Sequence, residues 1–259
     1  MRNFLAIYCK EMRSYFGSPV AYVMAGVFLL FSGFFFRNLV LQFNRISLTY
    51  LQQPQYAGRM PPINVNEMVV MSFFGVQFFI WLIITPMLTM RLYAEEKRSG
   101  TMELLMTSPI TTWQTLLGKF VACFSLYVII EIAAFGFLGI LSVYTDIDWG
   151  PVFSACLAVL LLGGTFVSVG ILASSLTENQ IVAVVISFFL LLTLWMIDWA
   201  SQFAGPTLAA VLGHISLLQN MRDMNRGVVD TSSVVFFFST MAFFLFLTFT
   251  VIESRRWRH

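Results

Sequence analysis

Long apolar runs separated by short polar segments dominate this chain, at about 20–42, 67–90, 115–143, 151–176, 181–199 and 233–252. None has the period-two alternation of a half-buried strand, and each is near the ~20 residues an α-helix needs to cross ~30 Å of hydrocarbon. Lipid offers no partner for an unpaired backbone, so the pattern predicts six transmembrane helices with both termini on one side.

Shorter patterns add to this frame. Residues 2–16 place Phe4, Tyr8, Met12 and Tyr15 at spacings of 3 and 4, with Arg2, Lys10, Arg13 and Ser14 on other faces. That spacing predicts an amphipathic helix lying in the membrane interface. Gly17, Ser18 and Pro19 then turn the chain, with Ser18 as N-cap and Pro19 at the first helical position of span one. Such an elbow would convert motion along the membrane plane into motion of that span. Within 200–232, the stretch Pro206 to Leu218 is apolar but only 13 residues long. It is too short to cross and predicts one re-entrant or interfacial helix between spans five and six. Segment 43–66 carries Pro54, Gly58, Pro61 and Pro62 with no helical period, and an irregular loop is expected there.

Composition agrees: 58% of residues are apolar and 11% charged, against a usual 45–50% and roughly 25%. The expectation is an all-α polytopic membrane protein, one transmembrane domain over 1–259. A net charge of +2 gives no basic surface for nucleic acid. Cys9, Cys123 and Cys156 form neither a disulfide framework nor a zinc pattern. Lys10, Glu11 and Arg13 interrupt the first 18 residues, so no cleavable signal peptide is expected. The methionine pairs Met68/Met71, Met87/Met90 and Met221/Met224 have the softness for Cu(I). They lie at different depths without a Cys or His beside them, and ordinary core filling accounts for them. No metal site is expected.

Charge then orients the chain. With the N-terminus inside, Arg2, Lys10, Arg13, Arg91, Lys97, Arg98, Lys119, Arg255, Arg256 and Arg258 fall on the cytoplasmic side. The outer side holds Arg37, Arg45, Arg59, Arg222 and Arg226, a two-to-one bias toward cytoplasmic termini. Trp257 near the end fits a headgroup anchor. The interval Arg91 to Lys119 holds 7 of the 28 charged residues. Its local signals predict two short helices: Arg98-Ser-Gly-Thr101 stops one and restarts another over Met102 to Thr107, with Glu103 in capping position, and Ser108-Pro109 ends the second. Thr111-Thr-Trp-Gln114 has capping-box spacing, making Thr111 the N-cap of span three. The plain alternative is a solvated connecting loop.

The run Tyr93-Ala-Glu-Glu-Lys-Arg-Ser-Gly-Thr-Met-Glu-Leu-Leu-Met-Thr-Ser-Pro109, followed by Trp113 and Gly118-Lys119, closely resembles the signature loop of ABC-2 type ABC-transporter permeases. Phe16-Gly-Ser-Pro-Val-Ala-Tyr22, Ile215-Ser216, Gly227-Val-Val-Asp-Thr231 and Glu253-Ser-Arg-Arg-Trp257 are similar to the gliding-motility-type branch of that family. The resemblance implies six spans, an elbow helix, a cytoplasmic coupling helix between spans two and three within loop 91–114, and short outer helices between spans five and six. It also implies two facing permease subunits, identical or related, in a bacterial inner membrane, each resting on a cytoplasmic ABC ATPase. Glu95, Glu96, Gly100, Thr101, Glu103, Leu104, Leu105 and Pro109 match the family loop and would contact the ATPase. Gly118-Lys119 lacks the upstream glycine of a phosphate loop. ATP and Mg would therefore be bound by the partner, and this chain would be no enzyme and carry no cofactor.

Polar residues inside the apolar runs require separate readings. Glu131, within span three, either lines a path or packs by hydrogen bonding to a neighbouring helix. Asp198 and His214 read as structural residues near the outer interface. Gly163, Gly164, Ser168, Gly170 and Ser174 give span four a small-residue surface for close helix approach. Two functions stand ahead of a passive channel or carrier, which would need no ATPase. One is an ATP-driven permease, by family resemblance an exporter. The other is a mechanical or regulatory component that passes ATPase strokes to an envelope partner without moving solute.

Overall fold

The computed structural model describes residues 2–52, 64–103, 110–203 and 205–256. The expected loop around Pro54, Gly58, Pro61 and Pro62, the coupling residues Leu104, Leu105 and Pro109, and Trp257 lie outside the described residues.

The described chain is helical throughout its ordered elements. These are α1 (Arg2–Gly17), α2 (Pro19–Gln52), a π-helical turn (Asn66–Met71) running into α3 (Ser72–Thr89), α4 (Arg91–Arg98), α5 (Thr112–Tyr144), α6 (Trp149–Leu176), α7 (Gln180–Phe203), α8 (Pro206–Ile215), α9 (Leu217–Asn225) and α10 (Thr231–Arg256). Six of them are long and apolar enough to cross a membrane: α2, the π-turn with α3 and α4, α5, α6, α7 and α10. They are spans one to six in chain order, so the two ends of the bundle are a termini-bearing end and its opposite.

Local chemistry accounts for the helix starts. Ser18 Oγ accepts from Val20 N at 3.4 Å, and Pro19, whose missing N–H is no loss there, opens α2. Thr111 accepts from Gln114 N at 3.3 Å while its own N–H donates to Gln114 Oε1 at 3.4 Å, a complete capping box on α5.

Two expectations are corrected. Span one does not end near 42 but stays helical to Gln52. Positions 43–52 hold no Gly or Pro, and Thr49 Oγ1 bonds the Arg45 carbonyl at 2.9 Å. Polarity there marks departure from hydrocarbon and not the end of the helix. At 1.5 Å per residue the helix is about 51 Å long, well beyond ~30 Å of hydrocarbon. The apolar stretch Pro206 to Leu218 is not one helix but two, divided at Ser216. Ser216 is buried, its Oγ accepting from Gln219 N at 3.1 Å and donating to Asp198 Oδ1 at 3.1 Å. Arg222 also pairs with Asp198, so the end of span five anchors the α8–α9 hairpin. His214 is exposed on α8.

Span four is the centre of the bundle. Some 83% of its apolar window is buried, against 22% for span one and 17% for span five. It packs against spans two, three, five and six and against α4 and α9. The small residues allow this: a Cβ on Gly163 would fall inside the Tyr127 ring of span three, and one on Gly170 would strike Thr89 of span two. Tyr127 adds a hydrogen bond from its hydroxyl to the Val159 carbonyl at 2.7 Å.

Candidate functional site

The termini-bearing end is organised around the break between α3 and α4. Pro86 removes one helical donor inside α3, and after Met90 the chain restarts as α4. The first backbone N–H groups of the new helix need acceptors. Ser174 of span four supplies one, its Oγ accepting from Tyr93 N at 3.0 Å and Ala94 N at 3.1 Å while donating to the Met90 carbonyl at 2.9 Å. Lys97 donates to the Ser175 carbonyl. Sequence reading assigned Ser174 to small-residue packing first and a substrate path second; that it would cap a neighbouring helix has no signature in its spacing. Ser174→Ala should lower stability by about 1–3 kcal/mol, the cost of leaving buried donors unpaired, measured by thermal unfolding of the purified protein.

Helix α4 stops as the sequence predicts. Ser99 N bonds the Glu95 carbonyl at 3.0 Å and Gly100 N the Lys97 carbonyl at 3.2 Å, with Gly100 at φ 71°. That left-handed position is one a side chain rarely adopts, which is why glycine stands there. Helical residues resume at Thr101–Glu103; the remainder of the expected Met102–Thr107 helix is outside the described residues. Ser99 and Thr101 hydroxyls meet at 2.9 Å, and each reaches the Glu96 carbonyl at 3.3 Å.

Four charges then tie three elements together. Lys119, on the first turns of span three and only 1% exposed, donates to Glu11 of α1 at 2.8 Å and to Glu96 of α4 at 2.9 Å. Lys10 of α1 reaches the same Glu96 oxygen at 2.7 Å. Burial pulls Lys10, on α1, downward, but its bond to Glu96, with Glu11 nearby, more than reverses this and leaves it above the ordinary lysine value. The Lys10 arm is largely solvent-exposed and adds little; the Lys119 arms are buried and carry the junction.

Around this junction α1 lies against span three. Ile7 occupies the space where a side chain on Gly118 would go, Tyr8 donates to Ser125 Oγ at 3.4 Å, and Tyr15 donates to the Leu88 carbonyl of span two at 3.1 Å. The packed face of α1 includes the expected Phe4, Tyr8, Met12 and Tyr15, and adds Ile7 and Glu11. Glu11 was legible only as an interruption of an apolar stretch. Span six joins the same end through Thr112, which donates to Glu253 at 2.8 Å, and through Trp113 stacked on Phe249 at 4.6 Å.

Of the eight residues matched to the family loop, Glu95, Gly100, Thr101 and Glu103 are exposed, whereas Glu96 is buried in the junction. Glu131 is remote from them. It is fully buried, its Oε2 accepting from Trp81 Nε1 at 2.8 Å. Trp81 packs on Tyr127 at 4.2 Å and Phe28 at 4.4 Å between ring centres. Ser32, Gln77 and Glu131, each one helical turn along from Phe28, Trp81 and Tyr127 and away from the termini-bearing end, are all fully buried. Beyond them the rings of Phe36, Phe73 and Phe137 close together at 5.4 to 6.3 Å. Glu131 therefore sits between two aromatic layers and bonds across spans two and three.

Six crossing-length helices, with a charged junction at one end, define a multi-pass membrane protein. The sequence matches the ABC-2 family transporter protein family over residues 5–252, and the chain belongs to that family. It is the transmembrane permease component of an ABC transporter, and membership implies partner ABC ATPase subunits. No curated protein matches the sequence.

Proposed function

We propose that the chain is the permease subunit of an ATP-driven exporter in a bacterial inner membrane. In this reading the termini-bearing end faces the cytoplasm and two permease subunits, identical or related, face each other. ATP and Mg belong to the partner ATPase. The ATPase docks on the exposed face of Glu95, Gly100, Thr101 and Glu103, together with Leu104, Leu105 and Pro109, which match the family loop in sequence. Glu96 works from the inside of the same element, passing displacement to α1 and span three.

The observation that carries this reading is the Lys119 junction. A docking segment transmits a stroke only if it is joined to the helices that must move, and Lys119 joins α4, α1 and span three in one buried cluster. Ser174 and Lys97 extend the connection to span four. The ATPase must also bind this surface differently in its two nucleotide states, since equal affinity for both would shift nothing. Closure of the ATPase pair would then tilt spans one to three and alternate the access of a path between the two permeases.

A second reading has its own support. The aromatic layers on either side of Glu131 fill the space among spans one, two and three, and such a subunit suits a transmitter that passes strokes to an envelope partner without moving solute. Glu103→Arg tests the docking surface common to both. It should reduce copurified ATPase by about tenfold, because one rim charge reversal is worth at least the 1.4 kcal/mol per decade of affinity, while the permease still inserts. Undiminished association and coupled turnover would remove Glu103 from the docking set.

A further inference from the structure

A cavity of about 300 Å³ opens between α1, the first turn of span one, the last turn of span two and α4. That volume is at the lower end for small-molecule sites. Its wall has two chemistries. Lys10, Arg91, Glu95 and Glu96 face it from the charged end, and Val20, Ala21, Met87 and Leu88 from the bundle side. Three carboxylates and three cations border it in all, Glu11 and Lys119 completing the set, so the wall carries no net sign.

Two groups here lack partners among the described residues. Both lysines of the junction take Glu96 Oε1, and Glu96 Oε2 has none, although Glu96 is only 8% exposed. Arg91 gives Nη1 to Ser18 Oγ at 3.2 Å, but its Nε is buried and unpaired. Both residues line the cavity, and a buried carboxylate oxygen without a donor and a buried guanidinium N–H without an acceptor are each costly unless a ligand supplies the missing partners. The ligand must bring a cationic donor and an anionic acceptor together.

Position narrows the ligand further. The exposed side of α1 presents Leu5 and Phe16 beside Lys10 and Arg13, an interfacial pattern. Tyr22, 60% exposed at the start of span one, and Trp113, 40% exposed at the start of span three, are placed as an aromatic belt at this level. The cavity is therefore at headgroup depth, with its apolar wall toward the hydrocarbon.

We propose that this cavity is a binding site for a zwitterionic phospholipid carrying a primary ammonium, held as a structural wedge between α1 and spans one and two. The ammonium donates to Glu96 Oε2. The phosphate accepts from Arg91 and Lys10, and the glycerol end of the lipid lies on Val20, Ala21, Met87 and Leu88. A headgroup with only negative charge would meet the carboxylates unpaired. A choline headgroup has no N–H to give Glu96.

The test is native mass spectrometry of the full chain, copurified with its ATPase and exchanged into nanodiscs of ethanolamine, choline or glycerol phospholipids. The wild type should retain one ethanolamine lipid per permease chain and release the other two classes. Arg91→Gln should lower retention by about tenfold, the scale of one charge-assisted hydrogen bond. Ser14→Trp, which places bulk at the cavity wall one helical turn from Glu11, should abolish it while the protein stays folded by size exclusion. Equal retention of all three lipid classes, retention unchanged in both variants, or an ATPase side chain found in the cavity in place of lipid would each overturn the proposal. ATPase copurification, read in the same samples, reports the docking surface separately, so failure of one assignment is distinguishable from failure of the other.

Discussion

Lys119→Met should destabilise the protein by about 3–5 kcal/mol, the range for removing one partner from a buried ion pair. The loss is large because Lys119 serves two carboxylates at once: Glu11 at 2.8 Å and Glu96 at 2.9 Å, both nearly enclosed. Lys10 cannot replace it, since its side chain is 59% exposed and its contribution is screened. The test is a thermal unfolding series in detergent. A triple change, Lys119→Met with Glu11→Leu and Glu96→Leu, should recover most of the loss, because a packed apolar cluster can match a buried ion cluster in stability. The triple variant should nevertheless lose transmission from the ATPase, whose stimulated turnover separates linkage from stability.

The second large effect is expected at Gly163. The Tyr127 ring occupies the place of any side chain there, and the same residue holds the Val159 carbonyl. Gly163→Leu would separate spans three and four or expel Tyr127, breaking its bond and its contact with Trp81. Overpacking typically costs 1–3 kcal/mol, and leaving the neighbouring polar groups unpaired adds to it, so about 3 kcal/mol or more is expected. Combining it with Tyr127→Ala should restore part of the loss by returning volume. No recovery in the double variant would mean that Gly163 is required for a reason other than this ring.

How much of this was legible in the sequence depended on the range of the interaction. Ser18-Pro19, the Thr111 capping box and the Gly100 stop are set within four residues, and their reading matches the structure. The six crossing helices follow from apolar length alone. Helix ends defined by polarity fared worse: span one was read as ending near 42 with a loop from 43, yet a helix outside hydrocarbon continues until a breaker or cap ends it. The junction was least legible. Glu11 and Lys119 are 108 positions apart, and no spacing rule pairs them. Glu96 matched the family loop beside Glu95, but successive residues on a helix face directions about 100° apart. One is therefore exposed and the other buried.

The central claim is that the termini-bearing end docks on a cytoplasmic ATPase through the segment around Glu103. The direct measurement is cross-linking in native membranes, in a Cys9→Ser background because Cys9 is exposed on α1. Glu103→Cys is compared with Val228→Cys, which is exposed at the opposite end of the bundle. The account predicts that the cysteine at 103 captures the ATPase subunit in a nucleotide-dependent way and that the one at 228 does not. Capture at 228 with none at 103 would contradict it.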